Sequence, residues 1–373
     1  MTNAQAVAES LRADIAECAD EIETGRQLPA VLVDKLKSAG ALRFLIPQAV
    51  GGAGVELPDF ISALQTLAEV DASTAWCVSQ GAVIATTSLW LEYPTITALW
   101  ADPQMAMANG PPRGSAAVLS GDGYRVTGNW GFSSGCQHAT WMHGAVRRAP
   151  DNAWLGVFFP KSSAQFHDNW QTGGLAGTGS FEFSVDDLLV PMEYVVDFRE
   201  PATIDAPVTR LPVGLVFAVS FAAVALGVAR GGLDAAVAIA QGKVPAYSST
   251  TVKDDPDMQK LLGEAESEWR AVRAYLHDTV NTVWDALADQ DRASNQQRID
   301  LRMAGTHTMR RAAQVLDKAY AIAGSSAIYS DNPLQRRFQD MHTMTQHVQA
   351  RLGHYGYVGR YLFGLPFKPD ALN

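Results

Sequence analysis

Residues 128–141 read Gly128-Asn129-Trp130-Gly131-Phe132-Ser133-Ser134-Gly135-Cys136-Gln137-His138-Ala139-Thr140-Trp141. Two tryptophans, a phenylalanine, paired serines and three glycines in 14 positions combine flat apolar surface, close backbone approach and a few polar atoms. A ring-shaped ligand requires that combination. Gly131-Phe132-Ser133-Ser134-Gly135 also matches the Gly-x-Ser-x-Gly pattern of a hydrolase nucleophile elbow. That elbow must join a strand to a helix. Here the residues after Gly135 run into Trp141-Met142-His143-Gly144-Ala145-Val146, whose pattern predicts another strand.

Working outward, the stretch lies in a β-rich middle third. Ala116–Ser120, Tyr124–Phe132, Trp141–Arg147, Trp154–Phe159 and Ser180–Val190 are short strand-forming runs separated by Gly, Asp, Asn and Pro. Gly121-Asp122-Gly123 is a hairpin signal. Before it the chain is helical. Residues 4–25, a segment from Leu28-Pro29 to Gly40, Leu57–Val70, Ser73–Trp90 and Pro94–Trp100 follow helical spacing, interrupted by the Pro- and Gly-rich loop 46–54. After Pro191, Pro201, Pro207 and Pro212 the pattern predicts helices over 213–241, 257–290, 294–323 and 333–352, with a short one near 355–363. Four long helices make a bundle. The expected architecture is α+β: an N-terminal helical domain over 1–104, a central antiparallel β domain over 105–208 and a C-terminal four-helix bundle over 209–373.

Composition sets limits. The chain has 373 residues, 47% hydrophobic and 18% charged, with a formal net charge of −10. That charge excludes a general nucleic-acid binder. Three widely spaced cysteines make neither a disulfide framework nor a zinc site, and no His/Cys/Asp cluster has metal spacing. The region around Glu9 lacks the apolar core of a signal peptide, so a cytoplasmic location is expected. Leu211–Ala229 carries no charged residue and is long enough to cross a membrane. Its Ala/Gly/Ser content and the absence of a basic cluster beside it predict a buried helix, and no membrane association.

Four motifs in order carry a resemblance. They are Ile46-Pro47…Gly51-Gly52 with Leu67-Ala68-Glu69…Asp71-Ala72-Ser73-Thr74-Ala75-Trp76, then Tyr124–Cys136, then Gly177-Thr178-Gly179-Ser180, and finally Leu334–His342. Together they resemble the acyl-CoA dehydrogenase superfamily, and within it the two-component (group D) flavin-dependent monooxygenases. The resemblance implies an oxygenase that takes reduced FMN or FAD from a separate NAD(P)H:flavin reductase and reacts with O2 through a C4a-hydroperoxide. It implies oxygenation of a small aromatic or heteroaromatic substrate, and a homotetramer. It makes Ser134 a hydrogen-bond donor at flavin N5 or the peroxide, with Trp130 and Phe132 walling the ring. Ser133, Thr178 and Ser180 become candidates for the flavin edge, and Arg336 and Arg337 for its phosphate. Trp76 and Trp141 become candidates for the substrate.

Proton transfer falls to a histidine, whose ordinary pKa lies near neutrality. Leu334, Phe338, Met341, Thr345, Val348 and Leu352 form one helical seam. His342 lies beside the seam and His347 points away from it, so periodicity makes His347 a surface residue. The resemblance instead places His347 at the flavin and substrate, and the two readings agree if the helix breaks. His138 and His143 read as strand or loop histidines. Two departures stand out. Asp340-Met341-His342-Thr343-Met344-Thr345 replaces the Tyr-Glu-Gly-Thr segment of the dehydrogenases, leaving Glu264, Glu266 or Glu268 as substitutes for its glutamate. Gly81–Thr86 carries no histidine where aromatic hydroxylases often have one, which leaves room for an N- or S-oxygenating relative. The alternatives are an acyl-CoA dehydrogenase-like flavoprotein and a non-catalytic ligand-binding scaffold.

Overall fold

The structure is a computed structural model describing residues 2–366. The chain divides into two compact units. The first comprises residues up to Phe60, Trp76–Gln171 and Ala176–Val213; the second comprises Ile61–Ala75, Thr172–Leu175 and the chain from Gly214.

Helices α1 (Ala4–Glu17), α2 (Ala19–Gly25), α3 (Ala30–Ser38), α4 (Leu57–Ala68), α5 (Ala72–Ala85) and α6 (Tyr93–Ala101) precede the first strand. The 4–25 segment is two helices rather than one, broken at Cys18. The strands are β1 (Met107–Gly110), β2 (Pro112–Ser120), β3 (Gly123–Ser133), β4 (Trp141–Arg148), β5 (Trp154–Pro160), β6 (Gln165–His167), β7 (Phe181–Pro191) and β8 (Val195–Val196). They form one sheet in the order β6-β7-β3-β2-β4-β5-β8, with β1 beside β4. Gly121 and Asp122 make the expected hairpin turn, closing the Ser120–Gly123 pair with Gly121 at φ +62°. Most pairings are antiparallel, but β1–β4 and β2–β4 are parallel. These strands are not joined by hairpins, so no local turn dictates their direction. The apolar face holds Val126, Met142, Val146, Val157 and Phe183 around Trp130. No helix follows Ser133 and Ser134, which ends the hydrolase reading.

The second unit is built on α7 (Val213–Ala240), α8 (Pro256–Ala286), α9 (Asn295–Ala323), α10 (Pro333–Met344) and α11 (Gly353–Leu362). α7 is long and apolar enough to cross a membrane, yet 78% of its most apolar window is buried within the protein. It is a core helix. Gly227 shows how closely it is packed: a Cβ there would stand 2.2 Å from the Gln65 carbonyl oxygen on α4. The Trp269 indole N–H of α8 donates to the Leu226 carbonyl at 3.0 Å, joining α8 to the same face.

The seam expected over 333–352 stops early. α10 ends at Met344, and a short 3-10 turn follows over Val348–Ala350. The Thr345 hydroxyl donates to the His342 carbonyl at 2.8 Å, and His347 Nδ1 accepts from the Gln349 amide at 3.3 Å. Side chains that bond nearby backbone in this way offer an alternative to helix continuation. Val348 and Leu352, expected on the seam, are consequently exposed.

Candidate active site

In the first unit, Ser134 stands just past the end of β3 and is 7% exposed. Its amide donates to the Phe132 carbonyl at 2.9 Å, and Gly135, at φ +77°, donates to the Thr178 carbonyl at 2.9 Å. The glycine permits a left-handed turn that brings the serine against the Gly177–Ser180 segment. The Ser134 and Ser180 hydroxyls are 2.7 Å apart, as are those of Thr178 and Ser180. The Trp76 indole N–H donates to Ser134 Oγ at 3.2 Å. Indole N–H can only donate, so the Ser134 oxygen is an acceptor there. Either hydroxyl of the Ser134–Ser180 pair can be the donor; when Ser180 donates, the Ser134 hydrogen is available to a third atom. In both cases Ser134 Oγ is held in place by two partners.

Of the predicted ring walls, Phe132 and Trp130 behave differently. Phe132 adopts φ +54° and is 56% exposed. Left-handed backbone is costly for a bulky residue and marks a functional candidate. Trp170 meets its ring edge-on at 6.1 Å, and Arg113 lies over it at 5.2 Å. Trp130 is fully buried. It stacks on Phe183 at 5.0 Å, and its N–H donates to the Ala145 carbonyl at 3.0 Å. Its expected place as a ring wall is therefore corrected: strand alternation turns it into the sheet core, away from a ligand. Ser133 is fully buried, and its Oγ has no partner beyond the Cys136 thiol. Trp141 packs against Tyr194 at 5.1 Å.

In the second unit, His347 lies edge-on to Phe221 at 4.9 Å. Burial pulls its pKa down to about 4. The break after α10 turns its ring inward, overturning the surface position read from periodicity. It is neutral at pH 7, and because Nδ1 accepts from the Gln349 amide, Nε2 carries the ring hydrogen and is a donor. His342 is different. Its side chain is 42% exposed and Nε2 lies 2.9 Å from Asp317 Oδ1, so it belongs to the bundle surface. Helical spacing put it beside the seam, not on it.

Arg337 is also reassigned. Its guanidinium donates to the Glu69 carbonyl at 2.8 Å and the Val70 carbonyl at 3.3 Å, clamping the turn after α4. Asp340, 2% exposed, accepts from the Leu175 amide at 2.6 Å. Two residues of the Leu334–His342 motif thus tie distant backbone segments together. Arg336 is partly exposed and lies within electrostatic reach of Asp71, whose carboxyl is pushed up by burial. Glu266 pairs with Arg230 and Arg270, and Glu268 with Arg311 and Lys318. Those acids are engaged in ion pairs and offer no free carboxylate base. Among the described residues, no three His, Cys, Asp or Glu side chains cluster as a metal site.

The acyl-CoA dehydrogenase N-terminal domain is matched over residues 2–93 and its C-terminal domain over 219–351. The indole-3-acetate monooxygenase of Acinetobacter baumannii is 30% identical over 365 residues, covering 95% of this chain and 92% of that protein. The chain belongs to the acyl-CoA dehydrogenase superfamily, among its flavin-dependent monooxygenases. The oxygenase subunit HsaA of Rhodococcus jostii, a flavin-dependent monooxygenase, is 28% identical and covers 96% and 97% of the two chains. The crystal structure of 3-HSA hydroxylase from Rhodococcus sp. RHA1 matches with a TM-score of 0.92 at 26% identity, over 100% of this chain and 99% of that one.

The residues of this monooxygenase fit a flavin. An exposed aromatic in strained backbone, a buried serine oxygen met only by a thiol and a doubly anchored serine hydroxyl suit a flat ring with a polar edge. Two features of the site were not legible in the sequence. The Trp76–Ser134 bond spans 58 positions, and the residue type had suggested a substrate contact instead. The Gln80 side chain on α5 also donates to the Asn109 side chain on β1. No local pattern announces either pairing, because each depends on packing a helix against the sheet.

Proposed function

We propose that this chain is the oxygenase component of a two-component system, taking reduced FMN or FAD from a separate NAD(P)H:flavin reductase. It inserts one atom of O2 into a small aromatic or heteroaromatic ring, with indole-type compounds the first class to test. The hydroxyl chain Thr178–Ser180–Ser134, anchored by Trp76, carries this reading. Similarity to the indole-3-acetate monooxygenase and to oxygenase subunits supports it. Bound reduced flavin supplies the electrons that activate O2.

The protein's part is to bind, orient and exclude water. Ser134 would donate to the polar edge of the flavin, with Ser180 and Thr178 holding its oxygen in register, and Ser133 and Phe132 would face the ring. His347, neutral at working pH with Nδ1 accepting from the Gln349 amide, would offer its Nε2–H as a hydrogen-bond donor to the reacting groups. Arg336 remains the candidate for the flavin phosphate. A homotetramer and a cytoplasmic location are part of the proposal.

The test supplies chemically reduced FMN or FAD and O2 to the pure protein with indole. The quantities read are oxygenated product and hydrogen peroxide per flavin consumed. Product approaching one per flavin with one of the two flavins is expected. Release of hydrogen peroxide alone, across a panel of indoles and phenols, would overturn the reading.

A further inference from the structure

His143 has no hydrogen-bond partner. It sits in the middle of β4 and is 5% exposed, and neither Nδ1 nor Nε2 reaches a polar atom. Its surroundings are aromatic. Phe158 lies at 5.0 Å and Phe198 at 6.2 Å, and Trp90 meets Phe198 edge-on at 5.5 Å. Burial holds the imidazole neutral, with a pKa of about 4. A neutral imidazole carries one donor and one acceptor, and leaving such a group unmet costs about 1–3 kcal/mol. Phenylalanine or leucine would occupy this position without that penalty.

The neighbours make room for the ring instead of pairing with it. A Cβ on Gly156 of β5 would stand 2.8 Å from Nε2, 2.8 Å from Val196 Cγ2 and 2.9 Å from the Phe198 ring. Glycine at 156 therefore leaves space that the imidazole uses. In the parallel β1–β4 register His143 is the partner of Asn109, so the two side chains leave the sheet on one face. Asn109 already accepts from Gln80. One helical turn before Gln80 stands Trp76, the residue that fixes Ser134. Polar groups thus follow one another along this face: Trp76 with Ser134, Gln80 with Asn109, then His143.

We infer that His143 is a specificity-determining contact for substrate, accepting a hydrogen bond from the ring N–H or hydroxyl of a planar aromatic held against Phe158. The inference rests on the aromatic substrate proposed above and names the group that selects it. A site built to satisfy a polar substrate atom discriminates against the analogue that lacks it, because the buried protein group is then left unpaired. An aromatic wall alone gives no such discrimination.

The experiment measures binding of indole and of indene, which has the same shape without the N–H, to the flavin-free protein and to His143→Phe. The wild-type protein is expected to prefer indole by about tenfold or more. His143→Phe should bind the two alike, with indene affinity retained. In parallel, 15N-labelled histidine spectra of the wild type should show one imidazole signal moving with indole and not with indene, a readout independent of any variant's folding. A preference for indole that survives in His143→Phe overturns the inference while leaving the aromatic reading intact. So does a histidine spectrum that does not respond to indole, or equal binding of both ligands by the wild type. Binding of neither ligand overturns the inference together with the reading beneath it.

Discussion

Trp76 and Ser134 exchange one bond, and what each contributes can be separated. Removing the Ser134 hydroxyl takes away the donor itself, and a lost preorganised donor costs about a hundredfold in rate where charge develops. Trp76→Phe keeps the bulk and removes one neutral hydrogen bond worth about 1 kcal/mol. We expect Ser134→Ala to lower product per flavin by about tenfold or more and Trp76→Phe by about fivefold, both measured against peroxide release. A loss in Ser134→Ala with none in Trp76→Phe would mean that the indole N–H does not position the serine, and no loss in either variant would remove Ser134 from the site. Trp130→Phe should instead lower stability, because its ring and N–H serve the sheet core. The sequence placed Trp130 and Phe132 in one role because both are aromatic and two apart. The structure separates them through the left-handed backbone at Phe132, a local departure from strand geometry that residue identity does not announce.

At the scale of elements, glycines in two helices should respond oppositely to the same change. On α7, Gly227→Ala drives a methyl toward the Gln65 carbonyl, which lies only 2.2 Å from the ideal Cβ. A loss of about 1–3 kcal/mol is expected from such overpacking. On α8, Gly263 has nothing within 4 Å of its ideal Cβ. Gly263→Ala should raise stability by about 0.5–1 kcal/mol through helix propensity. Thermal or denaturant unfolding of the two variants decides the matter, and a common sign would refute the close packing of α7. Most of the elements were legible from pattern: the long helices, the five main strands and the Gly121–Asp122 turn. The short strands β1, β6 and β8 were not, because two to four residues give periodicity too little to register. The end of α10 was missed for another reason: Thr345 and His347 stop the helix through side-chain bonds, while the apolar spacing continues beyond them.

At the scale of the molecule, buried histidines set the response to acid. His138 is held at about 3, and His143, His277, His347 and His354 at about 4, each chiefly by burial. In the unfolded chain these groups take up protons below about 6.5, whereas in the folded protein they stay neutral until about pH 4. The unfolded state therefore binds more protons across that window, and stability falls as pH falls through it. Asp71, raised by burial, works in the opposite direction, against these five and His307, which burial also lowers. The thermal midpoint is expected to hold steady above pH 7 and to drop progressively between pH 6.5 and 4. His143→Phe should reduce the size of that drop. An acid-insensitive midpoint would show that these imidazoles reach solvent in the folded state.

The clamp made by Arg337 and Asp340 reaches beyond this chain. Arg337 holds the carbonyls of Glu69 and Val70, and Asp340 holds the amide of Leu175. Part of what makes the Leu334–His342 segment recognisable is thus work done on backbone, not on a ligand. A descendant that lost Ser134 and His347 could keep the clamp, fold the same bundle and still look like an oxygenase at this motif. The segment is a record of ancestry. Under the proposed function, whether a given copy still oxygenates anything is written at Ser134, Phe132 and His347, and that is where a dead copy would first differ.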